Sequence, residues 1–575
     1  MEPITTYQAC NLHAQTPKLF LDGQNVRRQT DVRFSELANT YESISRAAAD
    51  PARVRALAEL FRDADPRTLS AAAHFTLSEV VDPQLSDRLG VGPGTVRNVL
   101  ARLFDLEPAD VDDEVKRTGD MSEVVAAHVR GADTLEVDKL WQKVNRAVEK
   151  DESREALVEH VFRNTTALGA KYFTRMVLNQ MRIGAGLGTV ARALAAAFDV
   201  AASDVEHLYA MTNDIGHTAA QARKGPRALK RAGLTLFRPY QFMNAQKVDD
   251  PREIFEKLKG KRILFEVKYD GARLQIHLKK GRPPEIRTYS RRLNDDTAAM
   301  PDVAAALAKA WKGGDAVLEG EAVAFDPELK EKQPFQAVLM RLGRVHGIEE
   351  KAREIPLVLH LFELVYHDGE DLMRVPQAER RARLEKLFRP TERVKMTESL
   401  VTDSMEEQAD FFRRAIEEGH EGLMAKDPDA VYVPGRRAEN WMKLKPAFET
   451  LDVVITGGIW GSGRRKGLLS SLIVAVRAGN EFKTVGKVGT GFSEEALREL
   501  TARLEPSVIS TRGRDVEIEP EVVIEVDFQD IQKTARYRAG YALRIPRFKR
   551  VRTDKSTREA DDLTRLKRLY KQMHP

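Results

Sequence analysis

The chain has 575 residues, of which 42% are apolar and 31% charged, and this composition predicts about two to four globular domains rather than a disordered protein. Its single cysteine, Cys10, excludes an intramolecular disulfide framework and a cysteine-rich zinc site. No apolar stretch approaches the ~20 residues that span a bilayer, and the N-terminus lacks a signal-peptide pattern, so we expect an intracellular protein without a membrane partner.

The first part of the chain is predicted to be helical. Residues 1–31 show no hydrophobic periodicity, and we expect a poorly structured extension there. From residue 32 to 235, apolar residues recur every three or four positions among Ala, Leu, Glu and Arg, as in SEVVAAHV (122–129). This pattern predicts an all-α domain.

An internal duplication lies within this helical region. GVGPGTVRNVLARLFD (90–105) returns 94 residues later as GAGLGTVARALAAAFD (184–199), and each copy predicts a glycine-rich turn that leads into a helix. Backbone N–H groups at such a helix start suit a phosphate oxygen, and glycine allows a nucleic-acid backbone to come close. A tight helix–helix connection without a ligand is the alternative. Two copies favour a pseudo-symmetric module that grips both sides of a duplex. The candidate DNA contacts are Gly92, Gly94, Gly186 and Gly188.

Two further domains are predicted after residue 235. Between residues 236 and 449, strand-like runs such as ILFEVKY (263–269) alternate with helical stretches such as ERRARLEKLF (379–388), which predicts an α+β domain with mostly antiparallel strands. From residue 450 to 575, short strands separated by glycine predict a small β-barrel, for which an OB-fold is the natural candidate.

The end of the chain is basic. Residues 531–575 contain 14 Lys or Arg against 4 Asp or Glu. A cluster of this density suits a polyanionic partner, because each neutralised phosphate releases counterions. A solvated basic face is an equally good interpretation of the charge alone.

The octapeptide EVKYDGAR (266–273) is the centre of the chemical prediction. It places Lys268 at the end of a predicted strand, before a turn made by Asp270 and Gly271, and a nucleophile is well presented at such a position. A lysine attacks phosphorus only when unprotonated, so we expect nearby cations to depress its pKa from the usual ~10.4. An ordinary surface turn is the alternative.

EVKYDGAR resembles motif I of the covalent nucleotidyltransferases, the superfamily of ATP-dependent ligases and capping enzymes. The helical segments RFSELANTYESI (33–44) and NQMRIGAGLGTV (179–190) resemble the DNA-binding domain of archaeal and eukaryotic replicative-type DNA ligases. The resemblance thus covers residues 32–575. The later nucleotidyltransferase motifs follow in the expected order as YSRR (289–292), LEGEAVAFD (318–326), LFELVYHDG (361–369), EGLMAK (421–426), NWMKLKP (440–446) and ALRIPRFKRVRTDK (542–555).

The resemblance implies a role for each matched residue. Lys268 takes AMP as a phosphoramidate, Glu266 recognises the adenine amino group, and Phe362 stacks on the base. Arg273 and Arg291 bind the ribose or phosphates and the nick, and Glu321 contacts the ribose. The α-phosphate is neutralised by Arg437, Lys443 and Lys445. The metal, Mg²⁺ or Mn²⁺, is held by Glu421 with help from Glu321. The departing pyrophosphate is oriented by Arg544, Arg547 and Lys555 when the OB domain closes.

The resemblance also implies the partners and the setting. ATP is the implied nucleotide, although the residues alone leave ADP and GTP open. We expect a monomer that encloses nicked duplex DNA during replication, repair and recombination, in the cytoplasm or on the nucleoid. A sliding clamp is a further candidate partner, although neither end of the chain carries a recognisable clamp-binding motif.

Three other functions compete with this prediction. An RNA ligase or a messenger-RNA capping guanylyltransferase would share the lysine motif, but the helical region of about 200 residues favours a duplex substrate. An NAD-dependent DNA ligase would need a four-cysteine zinc finger, which one cysteine cannot build. A nucleic-acid-binding scaffold would not need Lys268 or the lysines of NWMKLKP. Two positions depart from the usual pattern, Glu319 and Glu363, where Asp is common; both keep the charge, and we expect little effect on activity.

Overall fold

The structure is a computed structural model, and it gives two compact units, the first ending at Arg238 and the second beginning at Pro239. The extension predicted for residues 1–31 lies outside the described part of the chain. Among the described residues, none of the helices combines the length and the apolar composition that a bilayer-spanning segment needs. The described residues are 32–83, 85, 89–326, 331–333, 335–344, 346–446, 450–461, 465 and 467–573.

The first unit is helical, as predicted. Its helices bury their apolar faces in one continuous core that includes Phe34, Leu100 and Leu194. Helix bounds are α1 (Phe34–Arg46), α2 (Asp50–Asp63), α3 (Pro66–Thr76), α4 (Pro93–Phe104), α5 (Pro108–Thr118), α6 (Met121–His128), α7 (Val137–Glu149), α8 (Arg154–Asn164), α9 (Ala167–Val177), α10 (Leu187–Phe198), α11 (Ala202–Thr212), α12 (Ile215–Arg223) and α13 (Pro226–Arg231).

The duplication seen in the sequence extends over three helices. Helices α10, α11 and α12 begin 94 residues after α4, α5 and α6. The special backbone positions repeat as well. Gly90 and Gly184 have φ of 65° and 67°, and Asp105 and Asp199 end their helices with φ of 52° each. These left-handed conformations make the same sharp turns before and after α4 and α10.

The helices of the first half of this unit (α1–α6) pack against those of the second half (α7–α13). Helix α3 packs on α12 and α9 on α6, while α2 packs on α10 and α8 on α4. Where the halves meet, the Phe34 N–H donates to the Leu135 carbonyl at 2.9 Å and the Val137 N–H to the Val32 carbonyl at 3.0 Å. This reciprocal pair of hydrogen bonds joins the two halves, whose helices share one hydrophobic core.

The first part of the second unit contains two sheets. Its strands are β1 (Asn244–Val248), β2 (Ile263–Lys268), β3 (Ala272–Lys279), β4 (Glu285–Tyr289), β5 (Ala316–Asp326), β6 (Glu331–Lys332), β7 (Leu357–His367), β8 (Glu370–Asp371), β9 (Val394–Met396), β10 (Ser399–Thr402), β11 (Gly422–Lys426) and β12 (Arg437–Leu444). Its helices are α14 (Pro251–Lys257), α15 (Pro301–Ala310), α16 (Phe335–Leu339), α17 (Ile348–Glu354), α18 (Gln377–Leu387) and α19 (Met405–Glu417).

Consecutive strands β2 and β3 belong to different sheets. One sheet has the order β1-β12-β11-β2-β10, and the other has β4-β3-β5-β7-β8 with β6 and β9 attached to β5 and β7. Most pairings are antiparallel, as predicted; β1–β12 and β7–β9 are parallel. The chain therefore crosses from one sheet to the other immediately after Lys268.

The last part of the second unit is the predicted barrel. Its elements are β13 (Thr450–Trp460), β14 (Leu469–Ala478), β15 (Glu481–Val488), α20 (Glu494–Leu504), β16 (Val508–Arg512), β17 (Asp515–Ile518), β18 (Val523–Asp527), β19 (Asp530–Lys533), β20 (Tyr541–Arg544), β21 (Arg547–Val551) and α21 (Leu563–Met573). The strands pair in the order β15-β14-β13-β18-β21, and a parallel bridge between Thr490, after β15, and Arg547, in β21, closes the ring, as in an OB-fold.

Candidate active site

Lys268 stands at the junction of the two sheets. Along β2, Phe265 and Val267 pack into the apolar core, so strand alternation directs Glu266 and Lys268 to the opposite face. The turn that follows approaches β5 closely: a Cβ at Gly271 would lie 2.4 Å from the carbonyl oxygen of Ala322. Only glycine fits there, which fixes the lysine against the second sheet.

The charges nearest to Lys268 are carboxylates. Its Nζ lies 2.5 Å from Glu421 Oε2, and Lys445 Nζ lies 2.9 Å from the same oxygen. Burial lowers the pKa of Lys268, but Glu421, Glu321 and Asp270 together outweigh burial and raise the pKa above 10.5. The sequence-based prediction of a depressed pKa is therefore wrong for this geometry, in which Lys268 is an ammonium ion.

Three acidic groups surround this lysine. Burial and the neighbouring Glu421 carboxylate raise the pKa of Asp270 to about 6. Burial also raises the pKa of Glu321 to about 7, against the attraction of Lys268. Glu421 itself is buried, yet Lys268 and Lys445 hold its pKa well below the usual range. Burial thus has the largest effect on the pKa of Asp270 and Glu321, whereas the two lysines decide the pKa of Glu421.

This donor set fits a magnesium ion that is completed by substrate. Among the described residues, no three His, Cys, Asp or Glu side chains are grouped closely enough to hold a metal unaided. Mg²⁺ at phosphoryl-transfer sites takes one or two carboxylates and fills its remaining positions with phosphate oxygens and waters. Glu421 and Glu321, the predicted metal ligands, provide two such oxygen donors beside Asp270.

A cluster of cations continues from this point along β12. Lys443 is half-buried on β12, and burial together with Lys268, Lys445, Arg291 and Arg437 lowers its pKa. Arg437 begins the strand and is exposed, and Arg291 donates weakly to Asn244 at 3.5 Å. The predicted phosphate-binding residues are therefore close enough to influence one another, and together they form an electropositive rim.

Glu266, the predicted adenine-binding residue, is already surrounded by donors. It is only 2% exposed. Its Oε2 lies 2.6 Å from Lys426 Nζ, and its Oε1 accepts from Thr397 Oγ1 at 3.2 Å and from the Arg381 guanidinium. Arg381 comes from α18, far away in sequence. The structure thus holds the carboxylate in one orientation on the face that carries Lys268.

Aromatic rings lie beside this carboxylate. Phe362 on β7 is 9% exposed, and Lys426 Nζ lies 5.0 Å from its ring centroid and 4.2 Å from that of Trp441. The guanidinium of Arg273 lies 5.6 Å from the Phe362 ring. Phe362 is thus placed between charged groups of both sheets, where a flat base could stack on it.

Arg273 is held by the protein itself. Its Nη2 donates to Glu319 Oε2 at 2.6 Å and its Nη1 to the Met243 carbonyl at 2.9 Å. Glu319 also accepts from the hydroxyls of Tyr240 and Tyr432 at 2.5 Å each. Glu319, one of the two departures from the usual motif, is therefore a buried acceptor that fixes Arg273.

The three predicted closure residues occupy different surroundings. Arg544 approaches the site, because it lowers the pKa of Asp270 against the effect of burial. Arg547 Nε instead donates to Asp527 at 2.9 Å, and Lys555 Nζ lies 2.6 Å from Asp452 within the barrel. The structure thus brings Arg544 towards Lys268 and pairs the other two residues with barrel carboxylates.

The predicted DNA-contacting glycines lie at two equivalent helix starts. Gly92 and Gly186 precede α4 and α10, and Gly94 and Gly188 lie in their first turns. Among the described residues, a Cβ at Gly92, Gly94 or Gly186 would meet no atom within 4 Å beyond the adjoining backbone, and at Gly188 it would meet only the tips of side chains. None of the four has a φ that requires glycine, so neither packing nor the fold explains these residues.

Besides Arg381, three neighbours of the site were not among the predicted residues: Lys426, Asp270 and Gln529. Lys426 lies in the segment EGLMAK and Asp270 in EVKYDGAR, so the motifs that contain them could have indicated both residues. Gln529, in the β18–β19 turn, donates from Nε2 to Glu421 Oε1 at 3.4 Å, and no sequence pattern marked it.

Comparison with known proteins agrees with this architecture. Family models match in chain order: "DNA ligase N terminus" over 33–195, "ATP dependent DNA ligase domain" over 242–445 and "ATP dependent DNA ligase C terminal region" over 465–555. A solved structure titled Pmar-Lig_PreS3 has a TM-score of 0.56, with 16% identity, and the match covers 90% of this chain and 99% of that chain. At this identity the likeness concerns the fold alone.

Curated relatives match over nearly their whole length. The DNA ligase of Thermococcus onnurineus is 37% identical, over 94% of this chain and 98% of the relative. The DNA ligase of Methanopyrus kandleri is 37% identical, with coverage of 94% and 99%. That of Archaeoglobus fulgidus is 36% identical, with coverage of 94% and 98%. The chain belongs to the family of ATP-dependent DNA ligases.

Proposed function

We propose that this ligase seals nicks bearing a 5′-phosphate and a 3′-hydroxyl in duplex DNA through a Lys268–AMP intermediate. The observation that carries the proposal is the position of Lys268 Nζ, at the end of a rigid strand, 2.5 Å from Glu421 and beside a cluster of cations. Phosphoryl transfer depends mainly on positioning and on neutralising charge, and this arrangement supplies both.

The first step forms the nitrogen–phosphorus bond. Lys268 Nζ gives one proton to solvent and attacks the α-phosphorus of ATP. The bond to the pyrophosphate oxygen breaks, pyrophosphate leaves, and the nitrogen gives a second proton to solvent to become the phosphoramidate N–H. Arg437, Lys443 and Lys445 stabilise the negative charge that develops on the α-phosphate. Mg²⁺ or Mn²⁺ held by Glu421 and Glu321 would add positive charge at the same phosphate.

The base and ribose are bound at the other end of the site. Phe362 stacks on adenine, and Glu266 accepts a hydrogen bond from the amino group at C6, with its carboxylate oriented by Arg381 and Lys426. Glu321 contacts the ribose. A carboxylate accepts from an amino group but repels a carbonyl oxygen, so the site favours adenine over guanine.

The remaining steps transfer AMP and join the strands. The 5′-phosphate at the nick displaces Lys268 from AMP, and the 3′-hydroxyl then attacks this phosphate and expels AMP. Arg273 and Arg291 bind the phosphates and the nick. For pyrophosphate to be oriented by the barrel, Arg547 and Lys555 must exchange their barrel carboxylates for phosphate oxygens, while Arg544 is already near Asp270. This exchange requires the barrel to move between steps.

The test of the substrate class is a sealing assay with matched ends. Purified protein, ATP and Mg²⁺ are incubated with nicked duplex DNA, nicked duplex RNA, single-stranded RNA and triphosphate-ended RNA. We expect sealing of nicked duplex DNA, because a duplicated helical unit of this size suits a duplex. Joining of RNA alone, or transfer of the nucleotide to RNA ends, would overturn the DNA-ligase proposal in favour of an RNA ligase or a capping enzyme.

A second prediction concerns the two glycine-started helices. Gly94→Ala and Gly188→Ala replace a poor helix former with the best one, so each should leave thermal stability unchanged or raise it by up to about 1 kcal/mol. If DNA phosphates approach these backbones, each added methyl group lies in their path and weakens binding about two- to tenfold. Fluorescence anisotropy with nicked duplex and melting curves test both effects. Undiminished affinity of the double variant for nicked duplex would show that these helix starts do not contact DNA.

The cellular setting follows from the same chemistry. We propose that the enzyme acts as an intracellular monomer on nicks left by replication, repair and recombination, with a sliding clamp as a candidate partner. The basic C-terminal region, with 14 Lys or Arg between residues 531 and 575, supports a polyanionic partner.

A further inference from the structure

Three aromatic rings form a stack next to the site. Tyr269 lies against His360, with ring centroids 3.9 Å apart and an interplanar angle of 24°. His420 packs on Tyr269 at 4.7 Å and 81°, edge to face. We refer to Tyr269, His360 and His420 as the ring cluster. The proposed reaction gives none of these residues a role.

Each ring is adjacent to a different group of the reaction site. Tyr269 directly follows Lys268, and His420 directly precedes Glu421. His360 on β7 is the cross-strand partner of Glu321 on β5. The cluster therefore joins the nucleophile to both proposed metal ligands, which lie on separate elements of the two sheets.

Further contacts hold the cluster in place. The backbone N–H of Glu421 donates to the carbonyl of Lys268 at 2.9 Å. This hydrogen bond joins the residue before Tyr269 to the residue after His420. Lys332 Nζ on β6 lies 2.8 Å from His420 Nε2 and donates to the Glu418 carbonyl at 2.7 Å. Tyr269 itself is 8% exposed. Two sheets and the α19–β11 connection thus meet at one tyrosine ring.

We propose that Tyr269 is a positioning residue for adenylation, whose ring, held between His360 and His420, sets the distance of Lys268 Nζ from Glu421 and Glu321. This inference rests on the proposed function of Lys268. A lysine side chain has four rotatable bonds, so its amine is placed by its backbone and by its neighbours. A displacement of about 1 Å at a reacting atom can slow a reaction about a hundredfold.

The test compares two replacements of the tyrosine. Tyr269→Phe keeps the ring and loses only a hydroxyl that accepts from the Glu398 N–H at 3.4 Å, so it should adenylate like wild type. Tyr269→Leu keeps apolar volume but removes the flat ring between the histidines. We expect its kcat for self-adenylation to fall roughly a hundredfold while KM for ATP changes by less than about threefold.

A second reaction separates positioning from general damage. Sealing of a nick that already carries 5′-linked AMP needs a folded, DNA-binding enzyme but not the Lys268 amine as nucleophile. Tyr269→Leu should therefore seal this substrate within about threefold of the wild-type rate. Equal loss in both reactions would reduce the ring cluster to ordinary packing and overturn the proposal, as would full adenylation by Tyr269→Leu.

Two more variants complete the design. Phe265→Leu shortens an aromatic residue of the same strand that packs on Phe255 at 5.8 Å, so it should leave adenylation unchanged. His360→Leu removes the ring that stacks on the other face of Tyr269. The Nδ1 of His360 has no hydrogen-bond partner among the described residues, so the substitution breaks no hydrogen bond of that atom. If Tyr269→Leu folds poorly, His360→Leu must still show slow adenylation with normal sealing of the pre-adenylated nick. A wild type that seals the pre-adenylated nick but forms no adenylate would refute the proposed function, and this inference with it.

Discussion

Replacing Lys268 with arginine is expected to abolish adenylation while leaving the fold intact. Arginine keeps the positive charge beside Glu421, but a guanidinium does not lose its proton in proteins and offers no nucleophilic nitrogen. Removal of a covalent nucleophile commonly costs at least about a thousandfold in rate. The measurement is transfer of label from α-labelled ATP to the protein, read on a denaturing gel.

The matched control is Lys261→Arg. Lys261 also lies between two carboxylates, with Nζ 2.9 Å from both Asp427 and Asp429, but outside the reaction site. The control should be labelled like wild type. Label on Lys268→Arg at the wild-type rate would show that another residue accepts AMP, and the mechanism proposed for Lys268 would have to be abandoned.

Breaking the buried ion pair between Glu363 and Arg380 is expected to give the largest loss of stability. Both side chains are fully buried, and the Arg380 guanidinium binds the Glu363 carboxylate through two hydrogen bonds of 2.8 Å. Arg380→Met leaves a buried carboxylate without this partner, at a cost of about 3–5 kcal/mol in the free energy of unfolding. Urea unfolding followed by circular dichroism measures the loss.

A control lies on the same helix. Arg383 pairs with Glu370 and Glu379 at the surface, so Arg383→Met should cost less than about 1 kcal/mol. The double variant Arg380→Met with Glu363→Leu removes both charges and should recover much of the lost stability. An Arg380→Met protein as stable as the Arg383→Met control would mean that the pair contributes nothing to holding α18 against β7.

The sequence predicted the fold class because local patterns decide it. The strand run 263–269 corresponds to β2 (Ile263–Lys268) and the helical run 379–388 to α18 (Gln377–Leu387). The repeat at an offset of 94 corresponds to helices that begin at the same offset. Alternation and helical spacing are encoded within a few residues, so they can be read without tertiary contacts.

Features that depend on distant residues were not predictable. Arg381 and Glu266 are 115 positions apart, and nothing in the helical run that contains Arg381 marks it as the partner of a strand carboxylate. The packing of helices between the two halves of the first unit could not be predicted for the same reason. The sequence of one repeat does not show which helices of the other repeat it contacts.

The error about Lys268 has the same origin. NWMKLKP and the neighbouring arginines were visible in the sequence, and they suggested a field that favours the neutral amine. The sequence did not show that Glu421, Glu321 and Asp270 surround Lys268. In the structure, the negative charges of these three side chains raise the pKa of Lys268. Likewise, Glu363 looked like a conservative change in a motif, whereas the structure makes it one half of a buried ion pair.

The decisive measurement is mass spectrometry of the protein after incubation with ATP and Mg²⁺ and removal of the unreacted ATP. We expect one AMP per chain, on the peptide that contains Lys268, and its loss when nicked duplex DNA is then added, with sealed DNA formed in equal amount. AMP on any other residue, or AMP on Lys268 that persists while nicked DNA is sealed, would contradict a reaction that passes through this lysine.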